Sequence, residues 1–382
     1  MKPTDPFDRS ALSTISRRQF VHTVGMCAGA GVLGHTVLSG ASPGAAAAQA
    51  PGKVKLGFDH FSVRSYGWKA PQLIDYAGTL KVDSLLLSES NVFESDTDSY
   101  LRELKAKADG LGLVLYSGSG SICPTSGTFD KKSGTAAEQV AKAIRVAKGV
   151  GSPVIRCYLG RGDDRLMDGG IERHIEETVK VCKDVRSQVM DAGLKLAVEN
   201  HAGDMQSWEL AMLIEAAGKE FVGANIDPGN AVWTMEDPQS NLETLAPYVV
   251  CTSVRDSAMW ETADGVSVQW TAMGDGQIDF RAYAALLAEK CPGVPLHIET
   301  ISGLTRNFPV STDAFWKPWP KARARGYAKW LALARQGKPR PPFTPAPANT
   351  DKRAAEQAQQ KSELERSLTY CRTTLGLGVR SA

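Results

Sequence analysis

Three short runs decide the fold: Ala197-Val198-Glu199-Asn200-His201, Asn225-Ile226-Asp227-Pro228-Gly229 and Leu296-His297-Ile298-Glu299-Thr300. Each is too short and too rich in β-branched or apolar residues for a helix, so each reads as the end of a buried strand. Glu199, Asp227 and Glu299 then stand at C-terminal strand ends. A buried carboxylate must be paired or must coordinate a cation, so three of them converging there mark a binding site.

Working outward, strand-like runs recur at 54–58, 84–87, 113–116, 154–158, 194–198, 222–226, 249–254 and 294–298. Segments of helical periodicity lie between them, such as Ala136-Val140-Ala143-Ile144-Ala147 and Ile171-Ile175-Val179-Cys182. Eight strand-plus-helix units are the count of an α/β (β/α)8 TIM barrel. A doubly wound sheet is the competitor, but no Gly-x-Gly-x-x-Gly follows the first strand. The barrel is expected over 51–336, closed by a helix from Trp316 to Arg335 with Trp319, Tyr327, Trp330 and Leu333 packing. A Pro-rich linker at 337–350 leads to a C-terminal helical extension and tail at 351–382, whose stripe Leu364, Leu368, Cys371 and Leu375 predicts docking on the barrel wall or on a partner subunit.

The first fifty residues stand apart. Ser16-Arg17-Arg18-Gln19-Phe20-Val21, a Gly/Ala/Val/Leu stretch to Leu38 and the small-x-small Ala48-Gln49-Ala50 resemble a twin-arginine export signal, which implies a periplasmic or secreted protein. Removing them leaves 40 residues of each charge sign, a balance that offers nucleic acid or an anionic membrane no basic face. A small neutral carbohydrate fits better, and a homo-oligomer stays open. Cys157 and Cys251 fall in predicted strands and Cys182 on an apolar helix stripe, so all three are expected as buried free thiols.

The ordered strand ends Val198-Glu199-Asn200-His201, Ile226-Asp227-Pro228-Gly229-Asn230, Val254-Arg255-Asp256-Ser257 and Ile298-Glu299, with Met273-Gly274-Asp275-Gly276-Gln277-Ile278-Asp279-Phe280 ahead of the seventh helix, resemble the xylose isomerase-like TIM barrels over about residues 53–335. That family includes sugar isomerases, ketose 3-epimerases and endonucleases. The resemblance implies one divalent ion held by Glu, Asp, His and Glu, here Glu199, Asp227, Ser253 and Glu299, with Glu199 and Glu299 as catalytic acid and base. Ser253 stands where the family pattern has histidine, and Asn230 where many relatives carry another. Hard oxygen donors favour Mn2+ or Mg2+ over Zn2+.

Either His201 or His297 could approach the missing corner, since alternate strand residues share a face. His297, inside an apolar run, reads first as a hydrogen-bonded packing residue. Glu199 and Glu299 could instead form internal ion pairs with Arg156 or Arg255. Substrate contacts are expected from His201, Asn230, Arg156, Arg255, Asp256 and His60, and from an aromatic after strands six and seven, Trp260 first, then Trp233 and Trp270. The expected chemistry is removal of a proton beside a carbonyl on a non-phosphorylated sugar through an enolate, giving isomerisation or epimerisation. Elimination from a 3-keto-glycoside by the same proton abstraction, and a non-catalytic sugar-binding barrel, are the alternatives.

Overall fold

The computed structural model describes residues 53–341 and 351–380. The expected export signal, and the linker beyond residue 341, lie outside them. Eight parallel strands, β1 (Leu56–Asp59), β2 (Ser84–Leu87), β3 (Val114–Ser121), β4 (Val154–Tyr158), β5 (Lys195–Glu199), β6 (Val222–Ile226), β7 (Val249–Thr252) and β10 (Leu296–Ile298), run in the order β10-β1-β2-β3-β4-β5-β6-β7. A single parallel bridge between Val254 and Ile298 joins the two ends, with Val254 N–H donating to the His297 carbonyl at 2.7 Å. The protein is thus a nearly closed (β/α)8 barrel with helices between its strands.

The apolar runs expected as strands all become strands because both sides of the ring are covered. Leu85, Leu87, Ile155, Leu196, Val198, Val222, Ala224 and Ile226 are buried in one continuous core with the helices. Gly57 permits the tightest approach inside: a Cβ there would stand 2.4 Å from the Ser84 carbonyl and 2.8 Å from the His297 ring. The helices 136–150 and 170–184 follow their predicted periodicity, and Thr135 and Glu138 cap the first reciprocally.

Three features depart from the expectations. The stretch after β7, expected as loops, is an antiparallel hairpin, β8 (Asp256–Glu261) and β9 (Val266–Thr271), extended by β11 (Thr305–Phe308). Asp264-Gly265 in its turn is a hairpin signal that the sequence carries. The closing helix spans only Ala324–Arg335, since Pro318 and Pro320 bar helix through the segment before it. Its Trp330, with Trp319, packs in a second apolar cluster against Met259, Val266 and Val268 of the added sheet, not on the barrel.

The barrel wall is completed instead by the helix Lys352–Thr373. Its Leu364, Leu368 and Cys371, with Leu377 beyond it, join the main core. It packs on residues 60–66 and on β10, and Gly378 N–H donates to the Val54 carbonyl. The six cysteines among the described residues, including Cys157, Cys182 and Cys251, are free and buried. Among the described residues no helix is long and apolar enough to cross a membrane.

Candidate active site

A cavity of about 450 Å3 opens at the C-terminal ends of the barrel strands. Seven of the eight strands place a residue on it at or just past their ends: Phe61, Ser88, Tyr158, His201, Asn230, Arg255 and Glu299. Strand geometry explains the convergence, since every parallel strand delivers its last side chains to the same mouth.

Glu199, Asp227 and Glu299 do meet. One carboxylate oxygen of each lies within 4.8 Å of the others, and all three side chains are buried. This spacing of hard oxygen donors fits a divalent metal ion. The hydrogen bonds fill the same space with other cations and donors. Arg156 donates from Nε to Glu199 Oε2 at 2.6 Å, and its Nη2 lies 2.5 Å from the same oxygen. Arg255 Nη2 stands 2.6 Å from Asp227 Oδ2 and 2.7 Å from Glu299 Oε2. Asn230 Nδ2 spans Glu199 Oε1 at 3.0 Å and Asp227 Oδ2 at 2.7 Å. Ser253, at the family's histidine position, accepts from Asn225 Nδ2 at 3.1 Å. The trio therefore has the spacing of a metal site but does not fit an ion while Arg255 keeps its place.

The three acids differ in outlook. Glu299 lines the cavity, and none of the described residues donates to its Oε1. Glu199 and Asp227, fully buried, are not on the cavity wall; they hold Arg156, Asn230 and Arg255, which are. Burial pushes the Glu299 carboxyl well up from the usual carboxylate range, and Arg255 pulls it back. Burial works against charge on Arg156 and Arg255 as well, but the facing carboxylates prevail and hold both protonated.

His201 lines the cavity with its ring stacked on Tyr158 at 4.0 Å. Its Nδ1 lies 2.6 Å from the Gly160 carbonyl, which only accepts, so the proton sits on Nδ1 and the lone pair on Nε2. Burial, helped by Arg156, lowers its pKa to about 4, so the ring is neutral. His297 stays out of the site: its Nδ1 donates to the Thr252 carbonyl and Nε2 pairs with Ser84 Oγ at 3.0 Å, the packing role.

Several expected contacts lie elsewhere. Asp256 accepts backbone N–H groups of Ser257, Gly274, Gly276 and Ile278 and pins the 274–278 turn, away from the cavity. His60 accepts from Ser88 N–H at 3.1 Å and is not on the cavity wall. Trp260 sits in β8 and does not reach the cavity either; the aromatic wall is the stacked pair Trp233 and Trp270, 3.8 Å apart at 11°. Trp270 Nε1 donates to the Gly229 carbonyl, and its ring lies 4.4 Å from Arg255 Cζ.

Residues not foreseen as contacts include Tyr158, Arg161 and Arg306. Tyr158 ends β4 and its position was a usable signal, whereas Arg306 arrives on β11 from outside the barrel pattern. Three cavity residues keep a buried polar atom without a partner: Asn230 Oδ1, Trp233 Nε1 and Arg255 Nε. These atoms have no open surface of their own and lie just behind the wall.

The family model described as xylose isomerase-like TIM barrel matches residues 63–334. This chain belongs to that family. Solved structures of similar fold include a D-psicose 3-epimerase with D-fructose (TM-score 0.56, 13% identity, 84% of this chain and 99% of that one) and 3-keto-D-glucoside 4-epimerase YcjR from E. coli (0.51, 12%, 74% and 100%). Another is the IOLI protein with a bound zinc atom (0.52, 12%, 74% and 99%). These similarities show the shared fold of sugar isomerases and epimerases. The uncharacterized protein YihM of Escherichia coli is 23% identical over 143 residues, 37% of this chain, and the alignment spans 42% of YihM's length.

Proposed function

We propose that this family member is an isomerase or epimerase of a small, non-phosphorylated carbohydrate, acting by proton removal beside a carbonyl. The observation that carries this reading is the free Oε1 of Glu299, a carboxylate of raised basicity, on the cavity wall beside the buried Arg255. A base for a carbon acid must be positioned and more basic than an ordinary carboxylate; Arg255 holds Glu299 in place and burial raises its pKa.

Glu299 takes the proton from carbon. His201, neutral with its lone pair on Nε2, is the second group on the wall able to hold a proton. Return to the opposite face of the same carbon is epimerisation; return to the neighbouring carbon is isomerisation. Glu199, expected as the partner of Glu299, orients Arg156 and Asn230 instead. Half-buried Trp233, backed by Trp270, gives the sugar ring an apolar face.

The spacing of Glu199, Asp227 and Glu299 also supports a metal-assisted form, with Mn2+ or Mg2+ held by those three and Ser253 once Arg255 has moved aside. The ion would supply Lewis acidity at the carbonyl oxygen. Elimination from a keto-glycoside is favoured by one observation: a second cavity of about 340 Å3 shares Glu89 and Tyr158 with the first and carries Ser119, Ser121, Thr128 and Gln139, room for an aglycone or second sugar. The proposed twin-arginine export would bring the enzyme to free sugars and glycosides in preference to sugar phosphates.

The test is incubation with free ketoses, aldoses and 3-keto-glycosides in D2O. Deuterium at the carbon beside the carbonyl, lost in Glu299→Gln, is the expected result. Sugar binding without exchange on any member would leave a binding barrel and end the proposal.

A further inference from the structure

We propose that Arg255 is the resident cation of this site, occupying the place of a divalent ion and stabilising the enolate oxygen in its stead; the catalytic half of this rests on the function proposed above.

The position is the first argument. Nη2 of Arg255 bridges Asp227 Oδ2 and Glu299 Oε2 at 2.6 and 2.7 Å. An ion bound to both oxygens at its usual distance of about 2.0–2.2 Å would fall on that nitrogen. One cation or the other holds the pair. The remaining corner is closed as well: Asn230 Nδ2 lies between Asp227 and Glu199, while Arg156 and Asn225 donate to Glu199 Oε2. The hydroxyl of Ser253, where a fourth ligand would stand, already receives Asn225 Nδ2.

Anchoring is the second. Arg255 runs over Gly229, where a Cβ would fall 2.1 Å from its Cγ, so the stem fits only against a bare backbone. The guanidinium rests on Trp270, itself tied to Gly229 through Nε1. Moving it out would separate two buried ion pairs and an aromatic contact together. Three carboxylates against Arg156 and Arg255 leave one net negative charge, so the cluster is close to balanced without a divalent ion.

Availability is the third. Arg255 lines the cavity, and its Nε, buried, has no acceptor. That N–H lies behind the wall, so a substrate oxygen is met by the guanidinium edge that lines the cavity. As the C–H bond breaks, its proton passes to Glu299 Oε1, its electron pair forms the C=C bond, and the carbonyl π pair settles on oxygen as an enolate that accepts from Arg255. Return of the proton restores the carbonyl and the neutral Glu299–Arg255 arrangement, so nothing is oxidised or reduced.

Ion binding decides the matter without reference to turnover. The full mature chain, purified without chelator, is assayed for metal content and titrated with Mn2+ and with Zn2+. Arg255→Met keeps the stem and frees the two oxygens; Arg255→Lys keeps the charge. The wild type and Arg255→Lys should carry no stoichiometric ion, and Arg255→Met should bind Mn2+ or Zn2+ at least tenfold more tightly, an increase abolished by adding Asp227→Asn.

One equivalent of metal in the wild type overturns the proposal, even if Arg255→Met fails to fold. So does a folded Arg255→Met that gains no affinity. Where deuterium exchange is found, it should persist in EDTA, and loss of exchange in EDTA refutes the guanidinium role. Absence of exchange on every sugar, with the ion results as expected, would remove the proposed reaction while leaving Arg255 as the cation.

Discussion

Lowering the pH should expose the cost of keeping His297 neutral in the barrel interior. The ring is fully buried, with both nitrogens engaged by Thr252 and Ser84 and Tyr116 against its edge, and burial lowers its pKa from 6.5 to about 4. Between those values the unfolded chain binds a proton that the folded one refuses, so stability falls as pH drops below 6.5 and the loss is complete near pH 4. At 1.36 kcal/mol per unit the full penalty is about 3 kcal/mol, of which about 2 kcal/mol is reached by pH 5. His297→Asn keeps a donor for the Thr252 carbonyl and cannot titrate. Urea unfolding of both proteins at pH 7.5 and pH 5 isolates the effect, because His201 and the carboxylates contribute to both. The wild type should lose about 2 kcal/mol more than the variant across that interval. Equal losses, within about 0.5 kcal/mol, would show that the buried ring does not carry the linkage.

Glu299→Gln should lower proton exchange by about 10²- to 10⁴-fold, read as deuterium incorporation, with the fold intact by circular dichroism. Arg156→Met strands Glu199 in the interior and should cost about 3–5 kcal/mol in urea unfolding at pH 7, with part of the loss recovered when Glu199→Gln is added. Deleting residues 352–382 bares the wall that Leu364, Leu368, Cys371 and Leu377 cover; at about 1.5–3 kcal/mol for each large apolar side chain this approaches the whole stability of a domain, and the truncated chain should be insoluble or melt far below the full one. Trp270→Ala removes a buried ring that supports Trp233, Arg255 and the Gly229 carbonyl and should cost about 3–5 kcal/mol in urea unfolding, with weaker sugar binding by titration.

The sequence by itself determined the eight barrel strands, because a strand covered on both faces has to be apolar along its length, and it placed Glu199, Asp227 and Glu299 at one mouth because all parallel strands end there. It also marked Cys157, Cys182, Cys251 and His297 as interior groups, since each sits within an apolar pattern. Tertiary structure alone decided what faces what. The three acids look alike in sequence, yet only Glu299 reaches the cavity, because Arg156, Asn230 and Arg255 come between the other two and open space. The sequence ranks Trp260 ahead of Trp270, and the hairpin register reverses them, setting Trp270 against Gly229 and leaving Trp260 away from the cavity wall. The helix 352–373 closed the barrel instead of 324–335, since either amphipathic helix could cover a strand and only the long-range packing of the β8–β9–β11 sheet claimed the nearer one. Periodicity records that a face is buried; the identity of the surface that buries it is a property of the assembled chain.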